Sequence, residues 1–224
     1  MSNKVTKKLE KAFITGCDQN TEWQLPFFIK KYNEMNHKTP LIICDFGMTA
    51  ETMEVVNKHP HVDVVMSFNN PEMIEKGWFL KPITMLKAPA KQLCWFDTDC
   101  IFHENVDDIF DSFVPNKLNM VHDKPWIKRR GEEWHNSGVV GIIDKPAALF
   151  SWVQAVKANP QVGDQEVLHS ILNPITRLQH INTIDNSYNV LRLQVDHDNY
   201  KGKIKVMHWT GKKGNDKIKE LING

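Results

Sequence analysis

A chain of 224 residues, 41% hydrophobic and 25% charged, has room for a sizeable core and an ordinary globular composition. A formal net charge of +1 supplies no global field to recruit nucleic acid or a membrane surface, no apolar run approaches the roughly 18 residues of a membrane span, and the stretch SNKVTKKLEK lacks the apolar region of a secretory signal. The four cysteines (Cys17, Cys44, Cys94 and Cys100) show no CxxC spacing and three sit at or near apolar strand patterns, so buried free thiols in a cytoplasmic protein are expected.

Residues 12–17, AFITGC, form a short apolar strand pattern, followed by the polar loop Asp18-Gln19-Asn20-Thr21. From Thr21, read as an N-cap, Trp23, Leu25, Phe27, Phe28, Tyr32 and Met35 recur at helical spacing. A second strand, 41–44, ends in Asp45-Phe46-Gly47; a helix is expected over 50–58 and a third strand over 62–68. This β-α-β-α-β opening implies a parallel, doubly wound sheet. A helix over 78–88, with Pro82 near its first turn, precedes Leu93-Cys94-Trp95-Phe96, a continuous apolar run that reads as a fully buried strand.

Asp97-Thr98-Asp99 follows that strand directly. In extended chain, residues i and i+2 point to one side. Both carboxylates therefore face one point beyond the carboxyl end of a buried strand, where open α/β sheets bind ligands. Asp is also a turn former, but two carboxylates aligned in this way repel each other unless a cation lies between them. A divalent cation in such a place commonly holds a diphosphate.

Residues 106–110 read as a short amphipathic turn or helix, and 118–122 as a strand. The polar, Trp-bearing stretch 123–135, DKPWIKRRGEEWH, reads as a mobile surface loop. Asn136-Ser137-Gly138 reads as a turn leading into a strand over 139–143. Helices are expected over 146–157 and from Gly163 through Leu172, the latter with Asp164 and Glu166 at its favourable amino end. Mixed short strands and turns occupy 178–195. A last strand, 204–208, ends at His208 and precedes Gly211, Lys212, Lys213, Gly214 and a basic helix. No linker divides the chain, so a single domain over 1–224 is expected.

Six features in this order resemble the nucleotide-sugar glycosyltransferases of the GT-A fold, in particular the glycogenin and bacterial lipopolysaccharide galactosyltransferase group. They are Asp18 with Asn20, Lys81, Asp97-Thr98-Asp99, Asn136-Ser137-Gly138, Asp164-Gln165-Glu166, and His208 with Gly211 and Lys212/Lys213. In that group a Gly follows the final His by three positions and a Lys by six, ahead of Pro-Trp. Here the sixth position is Gly214 and the lysines stand at four and five, a departure that leaves open which lysine reaches the phosphates and whether the chain is a divergent branch, microbial or viral.

The resemblance implies an α/β, Rossmann-like GT-A domain whose mostly parallel central sheet is flanked by helices. It implies metal-dependent transfer of a hexose from a nucleoside-diphosphate sugar, a UDP-sugar first, to an acceptor hydroxyl of a glycan, lipid or protein, with retention. Asp97, Asp99 and His208 would ligate the metal, and an imidazole beside two carboxylates suits Mn²⁺ better than Mg²⁺, the alternative. Asp18 and Asn20 would contact the base or ribose besides capping the first helix. Lys81, Gly211 and Lys212 or Lys213 would lie at the phosphates or sugar, with Thr98 in the same nucleotide-sugar site. Asn136 and Ser137 would lie beside donor sugar and acceptor, and Asp164 and Gln165 would act as catalytic residues against the transferred sugar. Without the resemblance, the lysines are solvated charges, His208 a structural histidine, and Trp126, Trp134 and Trp209 core or stacking surfaces.

Three other functions compete. A haloacid-dehalogenase-type phosphatase would use Asp97 as nucleophile and Asp99 as acid/base, although its motif normally closes the first strand. A non-catalytic nucleotide-sugar-binding domain would keep the same residues without turnover. A sugar-1-phosphate nucleotidyltransferase would need a Gly-rich phosphate loop after the first strand, which is missing here.

Overall fold

The computed structural model describes residues 8–60, 62–67 and 79–224; Phe68 and Trp78, expected at the ends of a strand and a helix, lie outside the described residues. A seven-stranded sheet runs in the order β3-β2-β1-β4-β7-β6-β8. Its strands are β1 (Leu9–Cys17), β2 (Leu41–Asp45), β3 (Val62–Ser67), β4 (Ala90–Phe96), β6 (Leu118–His122), β7 (His135–Ile143) and β8 (Ile181–Thr183). Strands β1 to β4 are mutually parallel, and β7 is antiparallel to both β4 and β6. A second, three-stranded sheet is formed by β5 (Cys100–Phe102), β10 (Val206–His208) and β9 (Val190–Leu191).

The apolar runs of β1 and β4 are explained by burial on both faces, as in other covered parallel sheets. Alternate residues serve opposite cores. Phe13 and Phe96 meet edge to face at 5.3 Å, with Phe110 stacked on Phe13 at 5.4 Å. Helices α1 (Leu25–Glu34) and α2 (Ala50–Lys58) cover that side through Phe28, Tyr32 and Val56. Ile14 and Trp95 point the other way, against α3 (Leu80–Lys87), α5 (Ala147–Ala158) and α6 (Asp164–Ile171) through Met85, Trp152 and Leu168. Each such large apolar side chain contributes about 2–3 kcal/mol by leaving water.

Several local expectations change. Thr21 stands at the N-cap position of a 3-10 turn but its side chain makes no cap bond; instead Asp18 Oδ1 accepts from the Asn20 and Thr21 backbone N–H groups at 3.0 and 3.1 Å and from the Thr21 hydroxyl at 2.9 Å. That turn, Glu22–Gln24, then leads into α1. The stretch 123–135 is not a mobile loop but holds α4 (Lys124–Arg130), capped by Asp123 Oδ1 accepting from Trp126 N–H at 3.1 Å and ended by Gly131 at φ 69°. Asp before Lys-Pro and Gly after Arg-Arg is a helix signature that high polarity masks. Asn136-Ser137-Gly138 is no turn but part of β7. Residues 174–197 include two further helices, α7 (Pro174–His180) and α8 (Arg192–His197). The carboxyl-terminal helix is α9 (Gly211–Asn223).

Candidate active site

Strand direction assembles the site. Strand β4 delivers Asp97 and Asp99 at its carboxyl end, and antiparallel β7 brings its amino-terminal residues Asn136–Gly138 to the same edge, where Asp97 N–H donates to Gly138 C=O at 2.9 Å. Strand β10 adds His208, paired with Cys100 of β5, and Trp209 N–H locks onto Asp99 C=O at 3.0 Å. His208 Nε2 stands 3.1 Å from Asp99 Oδ1 and 4.0 Å from Asp97 Oδ2. A β-carbon on Gly138 would come within 2.1 Å of His208 Cε1, so this approach requires a glycine.

Lys81, 2% exposed, occupies the far side of Asp97. Its ammonium pairs with Asp97 Oδ1 at 2.9 Å and Asp164 Oδ2 at 3.1 Å, and donates to the Ser137 carbonyl at 2.9 Å. The Trp95 indole N–H also donates to Asp97 Oδ1, at 2.6 Å. Burial pulls the Lys81 pKa down, but Asp164 and Asp97 more than reverse this and hold it above its ordinary value. For Asp97, burial is outweighed by Lys81 and His208, and the net shift is downward. Asp164 moves up, chiefly through burial. For His208 burial pulls the pKa down, but Asp99 and Asp97 together outweigh it and the net shift is upward.

A hydrogen-bond network behind the carboxylates was not legible beforehand. Asn136 Nδ2 donates to Asp123 Oδ2 at 3.0 Å and to Gln165 Oε1 at 3.1 Å, and its Oδ1 accepts from Gly138 N–H and Asn189 Nδ2, both at 2.9 Å. Gln165 Oε1 also accepts from Ser137 N–H at 3.0 Å, while its Nε2 donates to Asp123 Oδ2 at 3.1 Å. Gln165 is thus held on the protein side, and Asp123 ties α4 to the site. Thr98 donates to Gln24 Oε1 at 2.5 Å, and Gln24 Nε2 donates to Asn215 Oδ1 at 2.9 Å, linking the Asp-Thr-Asp turn to α9. Asp123 carries the cap signature noted above. Asn189, Gln24 and Asn215 carry no local signal.

Two cavities meet here. One, of about 560 Å³, is bordered by Asp18, Asn20, Phe46, Lys81, Trp95 and Thr98 among others. The other, of about 310 Å³, is bordered by Asp123, Trp126, Asn136, Ser137, Gln165 and Leu193 among others. Asp97, Asp99, Asp164 and Gly211 border both. Lys212 and Lys213 are exposed in the first turn of α9 and border neither.

The donor set fits a divalent cation. Asp97, Asp99 and His208 Nε2 converge as two carboxylates and an imidazole nitrogen, while Lys81 sits behind Asp97 on the side away from His208. Cys100 lies beside Asp99 and His208, but burial drives its thiol pKa well up, which keeps it protonated. A second convergence, His122, Glu133 and His135, is satisfied internally: His122 Nε2 meets Glu133 Oε1 at 2.7 Å and His135 Nε2 meets Thr183 Oγ1 at 2.9 Å. A cation on His135 Nε2 would require an Nδ1–H, and that buried nitrogen has no partner among the described residues.

No family model matches the chain, and no curated protein sequence matches it. Solved structures do. It is similar to the galactosyltransferase LgtC in complex with donor and acceptor sugar analogs (14% identity, TM-score 0.65) and to an active-site mutant of LgtC (12%, 0.69), each comparison covering 95% of both chains. It is also similar to mouse xyloside xylosyltransferase 1 (13%, 0.57), over 89% of this chain and 97% of that one. The fold is therefore the GT-A fold of nucleotide-sugar glycosyltransferases, and the acidic pair closes its fourth strand, whereas the haloacid-dehalogenase-type motif closes the first.

Proposed function

We propose that this protein is a metal-dependent glycosyltransferase that moves a hexose from a nucleoside-diphosphate sugar, UDP first, to an acceptor hydroxyl with retention. The observation that carries the reading is the convergence of His208 Nε2 on Asp97 and Asp99, the two carboxylates that border both cavities. Asp97, Asp99 and His208 would hold Mn²⁺, or Mg²⁺ less well, and the bound ion supplies Lewis-acid neutralisation of the departing diphosphate.

In the larger cavity Asp18 and Asn20 bind the base or ribose, with Thr98 and Gly211 lining the diphosphate path. Lys212 or Lys213, exposed in the first turn of α9 beside Gly211, would swing in on donor binding to add positive charge as the phosphates leave. Lys81 serves differently, holding Asp97 and Asp164 rather than the phosphates. Asp164, facing both cavities, steadies the developing cation at the sugar carbon. Gln165, Asn136 and Ser137 shape the wall behind it. Trp126 offers the acceptor an apolar face in the smaller cavity. The four buried, free cysteines suit a reducing cytoplasm, and among the described residues no helix is long and apolar enough to cross a membrane.

The test is a panel of UDP- and GDP-sugars with Mn²⁺, scored for released nucleotide, together with melting in UDP plus Mn²⁺ or EDTA. Donor hydrolysis that needs Mn²⁺, and that Asp99→Asn abolishes in a folded protein, is expected. Binding without hydrolysis of any donor would reduce the protein to a sugar-nucleotide-binding domain. Equal UDP stabilisation with Mn²⁺ and with EDTA would remove the metal site.

A further inference from the structure

The hydrogen-bond network fixes the direction in which one imidazole presents its lone pair. Gly138 N–H can only donate, so the Asn136 atom facing it at 2.9 Å is Oδ1. The atom of Asn189 that faces the same oxygen, also at 2.9 Å, must then be its Nδ2. The Asn189 amide is thereby oriented, and its Oδ1 faces His208 Nδ1 at 3.0 Å. An amide oxygen cannot donate, so the proton of that bond belongs to Nδ1. His208 Nε2, which faces Asp99 and Asp97, is left to carry the lone pair when the ring is neutral. A lone pair turned toward two carboxylates is unfavourable unless a cation lies among them.

We propose that Asn189 is a positioning residue that, oriented through Asn136 by the Gly138 backbone, holds His208 in its Nδ1–H form and so delivers Nε2 to the cation site. The reasoning rests on the metal-binding reading of Asp97, Asp99 and His208. Asn189 is fully buried, immediately before β9, and β9 pairs with β10 so that Leu191 lies opposite His208. The small sheet thus supplies both the imidazole and the group that orients it. Partners of this kind, which fix a ligating histidine through its other nitrogen, typically alter metal affinity about 10–100-fold when removed.

The test is a double-mutant cycle read by Mn²⁺ titration, with free Mn²⁺ followed by electron paramagnetic resonance. Asn189→Leu should weaken Mn²⁺ binding about 10–100-fold and have no further effect in the His208→Ala background, because it acts through that ring. Equal Mn²⁺ affinity in Asn189→Leu and the parent would overturn the proposal, as would an equal loss in both backgrounds. A second readout needs neither a variant nor a cation: ¹⁵N imidazole shifts of the metal-free parent at alkaline pH should place the proton of neutral His208 on Nδ1. A proton on Nε2 would overturn the proposal even if Asn189→Leu fails to fold. A parent that binds no Mn²⁺ defeats the metal reading, whereas a parent that binds it no better than Asn189→Leu defeats only the role of Asn189.

Discussion

Lys81→Met tests the architecture of the site without any assumption about what the protein binds. Methionine is close to lysine in length and adapts to irregular spaces, so it fills the same channel while removing the charge. Two carboxylates, Asp97 at 2.9 Å and Asp164 at 3.1 Å, then lose their shared counter-ion, and the Ser137 carbonyl loses a donor. Lys81 is 2% exposed, but the side chains it would leave unpaired are 30% (Asp97) and 11% (Asp164) exposed, so solvent screens part of the loss and the figure for a fully buried pair is an upper limit here. Removing one partner of a fully buried ion pair costs about 3–5 kcal/mol. For a chain of this size that upper limit corresponds to a drop of roughly 6–20 °C in melting temperature.

The effect should depend on pH with a definite sign. In the parent, the depressed Asp97 pKa contributes stability that is present above its ordinary value of 3.8 and lost as pH falls. In the variant, burial acts without Lys81 and raises both carboxyl pKa values, so the penalty is full near neutrality and shrinks as the pH approaches 4. Urea unfolding of both proteins between pH 7.5 and roughly 4.5 measures this directly. An unchanged midpoint at neutral pH, or a penalty that grows on acidification, would refute the electrostatic account of Lys81.

Three further predictions follow from burial and contact. Burial holds the His135 and His169 pKa values down to about 3 and about 4, from 6.5. Protons therefore bind the unfolded chain first, and the pair should cost up to about 4 kcal/mol between pH 6.5 and 5; Trp134, stacked on His169 at 3.8 Å, provides a fluorescence reporter, and a pH-independent urea midpoint would contradict this. Gly138→Ala should destabilise the fold by about 1–3 kcal/mol, because its β-carbon would overlap His208 Cε1 at 2.1 Å, and parent-like melting would count against the packing described. Asp123→Ala should cost about 2–5 kcal/mol, by removing the α4 cap and two buried acceptor contacts; hydrogen exchange should show lost protection at Ile127 and Gly131, with β1 and β2 unaffected.

The parts of the fold visible beforehand are those in which local pattern and tertiary environment agree. The runs around Phe13, Ile42 and Trp95 are apolar because both faces of their strands are covered, and the intervening helices announce themselves by periodicity. Polarity misled over 123–135, where Asp123, Pro125 and Gly131 shape a short helix whose charged residues face solvent. It misled again at Asn136-Ser137-Gly138, where polar residues continue a strand because Asp123, Gln165 and Asn189 satisfy them. The three-residue strand β5 is too short to show any period of its own.

By itself the sequence determined the apolar strands of the parallel half of the sheet and the placing of Asp97 and Asp99 at the carboxyl end of one of them, because strand pattern and burial act over a few residues; the grouping of the other polar residues with them came from the family resemblance. Only the tertiary structure decided that β7 runs backwards to bring Asn136 to Asp97, that Lys81 neutralises carboxylates rather than facing solvent, and that Asn189 orients His208. Those contacts join residues distant in the chain, and their geometry depends on how sheets and helices pack, which no local pattern encodes.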